Sequence, residues 1–226
     1  MGKKKLLRFA ENKNFNCLIE FDPRFLLQNE CSYKGNWKNN FFAGHKKLIV
    51  ELGCGRGEYA LGLSELYPQN YFIGVDVKGS RLYHGAKSVE DKNIKNVAFV
   101  RSKIDFIHKI FADEVDEFWI TFPDPFSEKL KRRLTSPFFL NRYYASMNGS
   151  GIINLKTDDF ATYEFTLKLA DKNGLEVLKA TDDLYACNSL TPEETIKTTY
   201  EKKFLEQGKK ICLLKFVLNK EVPSLF

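Results

Sequence analysis

Leu48-Ile-Val-Glu-Leu-Gly-Cys-Gly-Arg-Gly57 is the stretch on which the reading of this chain turns. An apolar strand runs into three glycines at alternate positions, with one carboxylate, Glu51, just ahead of them. Glycine tolerates positive φ and lets backbone approach a ligand that any Cβ would exclude, and the following helix opens with free N–H groups turned to the same place. Nineteen residues beyond Gly57 a second apolar run, Tyr71-Phe-Ile-Gly-Val75, ends in Asp76, where an acid can accept both hydroxyls of a ribose. The spacing is Gly53-x-Gly55-x-Gly57, and the third glycine of the dinucleotide fingerprint would fall on Glu58, which argues against a nicotinamide cofactor. Glu51 is ill placed beside a pyrophosphate but well placed beside the sulfonium and ammonium of S-adenosylmethionine, so a methyltransferase is the better reading.

Working outward, short apolar runs alternate with segments of helical period. Leu48–Leu52, Tyr71–Val75, Val97–Val100, Phe118–Phe122, Gly151–Leu155, Leu175–Lys179 and Ile211–Leu218 read as strands. Helices are expected near Glu58–Tyr67, Arg81–Asp91, Asp105–Phe111, Pro137–Met147 and Phe160–Lys172. This alternation predicts an α/β fold with a mostly parallel sheet and helices on both faces. Ligands bind at the carboxyl ends of such strands, so Glu51, Asp76, Ser102 to Asp105, Asp124 and Asp158 should share one rim. Residues 1–45 read as a basic, partly irregular N-terminal extension, 46–220 as the methyltransferase domain and 221–226 as a tail. Thr191-Pro-Glu-Glu194 and Thr198-Thr-Tyr-Glu201 each match a capping box, and either can start a helix ending near Gly208.

Composition narrows the class. With 43% hydrophobic residues in 226, the chain can bury one ordinary core. A net charge of +6 permits an anionic partner such as RNA without demanding one. Cys17, Cys31, Cys54, Cys187 and Cys212 form no C-x-x-C pair, and His45, His84 and His108 share no ligand spacing, so neither a disulfide framework nor a metal site is expected. The N-terminus lacks the apolar region of a leader, and no run is long enough to span a membrane. A cytoplasmic protein, monomer or homodimer, is the expectation.

Two prolines flank Asp124 in Thr121-Phe-Pro-Asp-Pro-Phe126, which denies the loop a regular ladder and presents the carboxylate rigidly. Glu128-Lys-Leu-Lys-Arg-Arg133 follows, a basic loop suited to phosphates or simply a solvated charge run. The ordered set of Phe122-Pro-Asp-Pro-Phe126, Lys131-Arg-Arg-Leu134, Leu155-Lys-Thr-Asp158 and Thr198-Thr-Tyr-Glu-Lys-Lys-Phe204 with Gly208 resembles the bacterial tRNA (guanine-N7)-methyltransferase family from Leu48 to Leu218. The resemblance implies a seven-stranded, Rossmann-like class I methyltransferase fold that methylates a guanosine in the tRNA variable loop using S-adenosylmethionine.

By the same resemblance, Glu51, Gly53, Gly55, Gly57 and Asp76 hold the cofactor, and Asp124 is the catalytic or base-binding acid, also reaching the cofactor. Where the family has an acid followed by alanine, this chain has Lys103-Ile104, so the backbone N–H of Ile104 is left to meet the adenine, with Asp105 as an alternative. Phe126 replaces the family's tryptophan, and the basic loop is about two residues shorter. Lys129 and Lys131 are both candidates for a substrate-contacting lysine, joined by Arg132 and Arg133. Asp158, Thr198 and Glu201 match positions used for the target nucleotide, the lesser alternative being that Asp158 caps a helix near Phe160 and Thr198 with Glu201 cap their own.

Guanine N7 carries an exposed lone pair and no proton at neutral pH, so its methylation needs no general base. Alignment and negative charge near the developing cation should dominate, with Asp124 supplying the charge. Two other readings fit fewer residues. One is a Rossmann-like methyltransferase of a small molecule or protein, which does not account for the basic loop. The other is a catalytically silent RNA-binding subunit, damaged at Lys103.

Overall fold

The computed structural model describes residues 3–223. Its elements are, in chain order, α1 (Lys3–Asn12), β1 (Leu18–Glu20), α2 (Pro23–Gln28), a single π-turn (Trp37–Phe41), β2 (Leu48–Leu52), α3 (Glu58–Leu66), β3 (Tyr71–Asp76), α4 (Gly79–Asp91), β4 (Val97–Arg101), α5 (Ile107–Ile110), β5 (Val115–Thr121), α6 (Pro137–Tyr144), β6 (Met147–Thr157), α7 (Phe160–Lys172), β7 (Val177–Thr181), α8 (Thr199–Glu206) and β8 (Cys212–Leu218). The strands form one sheet in the order β1-β4-β3-β2-β5-β6-β8-β7, parallel except where β8 runs against β6 and β7. From β2 the chain moves outward through β3 and β4, then returns to the other side of β2 as β5. The break between those two directions opens a crevice above β2 and β5, the place where such sheets bind ligands.

Alternation along the central strands sets the layers. Leu48, Val50 and Leu52 of β2 face one core with Trp37 and the inward sides of α5, α6 and α7, while Ile49 faces a second core with Tyr59 and Leu63 of α3 and Leu82, Ala86 and Val89 of α4. β2 is buried along its whole length, as a central parallel strand covered on both faces must be.

The sheet has eight strands where seven were expected. The addition is β1, which pairs in parallel with β4 at Leu18↔Phe99, Ile19↔Val100 and Glu20↔Arg101. Three residues are too few to show a period of two, so composition gives no warning of it. The segment read as a partly irregular extension is packed into the domain: Trp37 is fully buried, its indole N–H donates to the Ile110 carbonyl at 2.9 Å, and the Glu114 carboxylate accepts from the N–H groups of Gly35 and Trp37, each at 2.8 Å.

Smaller differences concern boundaries. β6 extends from the expected Gly151–Leu155 to Met147–Thr157, carried to Thr157 by pairing with β8 and back to Met147 by the pair Val115↔Met147 with β5. β7 begins two residues later than expected. Thr191 closes a full capping box, but on one short 3₁₀ turn, Pro192–Thr195; α8 starts instead behind Thr198.

Candidate active site

A cavity of about 690 Å³ lies over the carboxyl ends of β2, β5 and β6. Glu51, Gly53, Gly55, Asp124, Asp158 and Thr198 all line it, so residues spread over about 150 positions of sequence meet in one place. The glycine turn forms its floor. Gly53 and Gly55 have φ of +74° and +57°, and a Cβ on either would project into open space. Gly57 serves a different purpose: it also has φ +74°, but a Cβ there would stand 2.3 Å from the Phe99 ring, so its smallness lets α3 pack on the sheet.

Glu51 is almost completely buried at this floor. Its carboxylate accepts from Thr121 Oγ1 at 2.9 Å and from the Ala60 N–H at 3.0 Å. Burial pushes its carboxyl up to about 8, against the pull of those two donors, with the charge of Asp76 adding to the rise. Asp76 Oδ2 accepts from the Gly55 N–H at 2.9 Å and Oδ1 from the Lys78 N–H at 2.7 Å. Asp76 therefore holds the glycine turn in shape from beneath.

Asp124 stands exposed at the mouth, in a loop whose shape explains the two prolines. Phe122 and Phe126 both adopt positive φ, +50° and +42°. Two bulky residues in that region on either side of one acid are held against their preference, as is common where a side chain is presented for a task. The restraint comes from the basic run. Arg133, expected to contact substrate, is 4% exposed: its Nε donates to the Pro125 carbonyl at 2.8 Å, another guanidinium nitrogen donates to the Ala161 carbonyl at 3.2 Å, and its face lies over the Phe165 ring. Lys129, Lys131 and Arg132 are exposed but do not line the cavity.

The wall opposite the glycine turn comes from the C-terminal third. Thr198 caps α8 by accepting the Glu201 N–H at 3.2 Å. Glu201 does not reach back to complete the box and is not open to a substrate. It is fully buried, paired at 2.7 Å with the equally buried Lys156, and accepts from the Tyr185 hydroxyl at 2.6 Å. Lys156 also donates to the carbonyls of Glu194 and Ile196, each at 3.0 Å. Burial pulls its ammonium down, while Glu201 and Glu194 hold it up. One cation thus fastens both ends of the segment 194–201, whose middle lines the cavity. Glu58 fastens it from the other side, accepting from the Thr199 N–H at 2.8 Å and from the Thr199 hydroxyl.

Asp158 faces the cavity with Oδ2 2.5 Å from Lys209 Nζ, and the helix cap that was its alternative role falls to Asp159, which accepts from the Thr162 N–H at 2.7 Å. Lys103 and Ile104 follow β4 outside the cavity lining, and Lys103 is exposed, so it obstructs nothing there. Lys156 and Glu58 are the functional neighbours that sequence reading passed over. A lysine inside the strand run Ile152-Ile-Asn-Leu-Lys156 marks an inward charge that needs a partner.

A sheet of this order, with a glycine cradle and a buried acid at the reversal of its strands, defines a Rossmann-like methyltransferase. A family model described as putative methyltransferase matches residues 45–214. The fold is shared with the 16S rRNA methyltransferase KamB at a TM-score of 0.61 and 11% identity, over 78% of this chain and 89% of that one. Over 98% of its length the chain is 40% identical to the tRNA (guanine-N(7)-)-methyltransferase of Bacteroides fragilis, covering 88% of it. It is 42% identical to the protein of that name from Christiangramia forsetii, over 96% of this chain and 99% of the other. The chain belongs to the tRNA (guanine-N(7)-)-methyltransferase family.

Proposed function

We propose that this chain transfers a methyl group from S-adenosylmethionine to N7 of a guanosine in the variable loop of tRNA. Asp124 carries the reading: an acid held between two left-handed phenylalanines at the mouth of a cavity floored by a glycine cradle and a buried carboxylate.

The residues fit the cofactor. Gly53 and Gly55 leave the space a Cβ would fill, Glu51 provides a floor carboxyl that ionises as a cationic cofactor binds, and Asp76 supports the turn while keeping lone pairs for a ribose. When bound there, S-adenosylmethionine supplies an electrophilic methyl group on a cationic sulfur. The chain's own work is placement. Asp124 hydrogen-bonds the guanine edge and stabilises the positive charge that grows on the base, which is where preorganised electrostatics contributes most. Asp158 and Thr198 form the wall against which the base is held, and Lys156 and Glu201 keep that wall in position from within the core. No residue is needed as a base, because N7 has no proton to lose.

The proposed work on tRNA belongs in the cytoplasm, carried out by a monomer or homodimer; separately, no helix among the described residues is long and apolar enough to cross a membrane. The test is incubation of unmodified tRNA with methyl-labelled S-adenosylmethionine, followed by digestion to nucleosides. Label in 7-methylguanosine is the expected result, and label in any other nucleoside overturns the reading.

A further inference from the structure

The loop after β5 was the natural place to look for RNA phosphates, yet none of Lys129, Lys131 and Arg132 lines the cavity, and Arg133 is buried as a brace. The cations that do line it come from elsewhere: Arg8 from α1, Arg56 from the glycine turn, Lys78 and Arg81 from the start of α4, Lys203 from α8, and Lys209 just beyond it. We infer that Arg8, Lys78 and Arg81 form a phosphate-binding wall that seats the RNA backbone beside the target nucleotide. The inference rests on the function proposed above and names the part of the chain that grips the substrate's backbone.

Three observations carry it. First, these charges stand outside the ion pairs of the fold. Among the described residues no ion pair engages Arg8, Lys78 or Arg81, whereas Lys209 on the same cavity is paired with Asp158. Cations gathered on one wall without ion-pair partners repel one another and are retained where an anion is to be held. Second, the guanidinium groups are oriented. Arg8 lies 5.6 Å from the centroid of the Tyr83 ring and Arg81 the same distance from that of Tyr200. Stacking occupies the flat face of a guanidinium and leaves its in-plane N–H donors, the fork that matches phosphate oxygens.

Third, the wall is assembled on purpose-built contacts. Asn12, completely buried at the end of α1, donates from Nδ2 to the Gly79 carbonyl at 3.0 Å and to Glu20 at 3.2 Å. That bond fixes α1 to the first residue of α4 and so sets Arg8 in register with Arg81. α4, thirteen residues long, has no side-chain cap, which leaves first-turn N–H groups and the positive end of its dipole at the same wall, where Ser80 also lines the cavity. His84 lines the cavity too, and its imidazole is held below the usual range first by burial and then by the neighbouring Arg8 and Arg56. Glu51 thus sits at the floor, suited to a cationic cofactor, and Arg8, Lys78 and Arg81 line the wall beside it, suited to a polyanion.

The test is binding of unmodified tRNA to the full chain across a salt series, for Arg8→Gln, Arg81→Gln and the double variant. Each single substitution should weaken binding several-fold and flatten the slope of log affinity against log salt by about 0.7 to 0.9, and the double variant by about twice that. Arg8→Lys and Arg81→Lys keep the charge and should retain the wild-type slope. Lys87→Gln, on the outer side of α4 and paired with Asp91, should change nothing. Calorimetric affinity for S-adenosylmethionine should stay at the wild-type value in all of them. An unchanged salt slope in the double variant overturns the inference, as does a loss confined to cofactor affinity. Because the slopes come from binding alone, they stay readable if labelled turnover fails, and that failure would count against the proposed reaction instead.

Discussion

Replacing Lys156 by Met removes one partner of an ion pair whose two side chains are both 0% exposed and 2.7 Å apart. Glu201 then remains in the core with Oε1 held only by Tyr185 and with Oε2 already without a partner. Breaking a buried pair from one side costs about 3–5 kcal/mol, because the stranded charge keeps its full desolvation penalty. The carbonyls of Glu194 and Ile196 lose their donor as well, adding about 1 kcal/mol, since the second is near enough to solvent to find water. Domains of this kind have about 5–15 kcal/mol in total, so Lys156→Met should fall by about 4–6 kcal/mol and melt roughly 10–20 °C lower. The double variant Lys156→Met with Glu201→Leu removes both charges and should recover most of that loss, to within about 2 kcal/mol of wild type. Urea unfolding read by tryptophan fluorescence gives both values. A single variant that loses less than about 1 kcal/mol, or a double variant no better than the single, would refute the account of Lys156 as a fastener.

The Glu51 carboxyl, raised to about 8 from 4.5, gives a pH signature: its folded value exceeds its unfolded one, so the stability due to neutral Glu51 is complete below 4.5 and lost as pH rises through 8. A cationic cofactor prefers the ionised form, so calorimetry at about pH 7 in two buffers should show close to one proton released on binding, falling towards zero near pH 9, and no release in Glu51→Gln. Gly53→Ala should impair cofactor affinity at a cost of about 1–2 kcal/mol in stability, whereas Gly57→Ala, with its Cβ against Phe99, should mainly unfold the protein; equal effects on both measurements would contradict the division of labour between the two glycines. Asp124→Ala should lower turnover about 10²–10³-fold with cofactor affinity and melting temperature near wild type, and near-normal turnover would remove Asp124 from the mechanism.

The glycine turn, the acid after the second strand and the proline-flanked aspartate were legible because each is a local pattern with one backbone solution. Arg133 was not. In a run of four cations nothing local says which one turns inward, and that is decided by the Pro125 and Ala161 carbonyls on other segments. Glu201 misled for a related reason. The capping-box pattern describes what its carboxylate can reach nearby, but an ammonium 45 positions upstream on β6 is a stronger partner than a backbone N–H. Arg8 comes beside Arg81 through the packing of α1 on α4, which a buried asparagine pins by a contact across 67 positions that no window of sequence contains.

That join has a consequence for how the protein comes to be folded. β1 pairs with β4 across 81 positions, Leu18 against Phe99, and the entropy of closing so large a loop must be met before a three-residue strand returns anything. Long-range parallel pairing of this sort is slow, so β1 and α1 should dock after the β2–β4 sheet has formed and leave first when the protein begins to open. Hydrogen exchange should therefore find the amides of Leu18–Glu20 far less protected than those of β2, and the wall carrying Arg8 should be the first part of the cavity to come apart under mild denaturant.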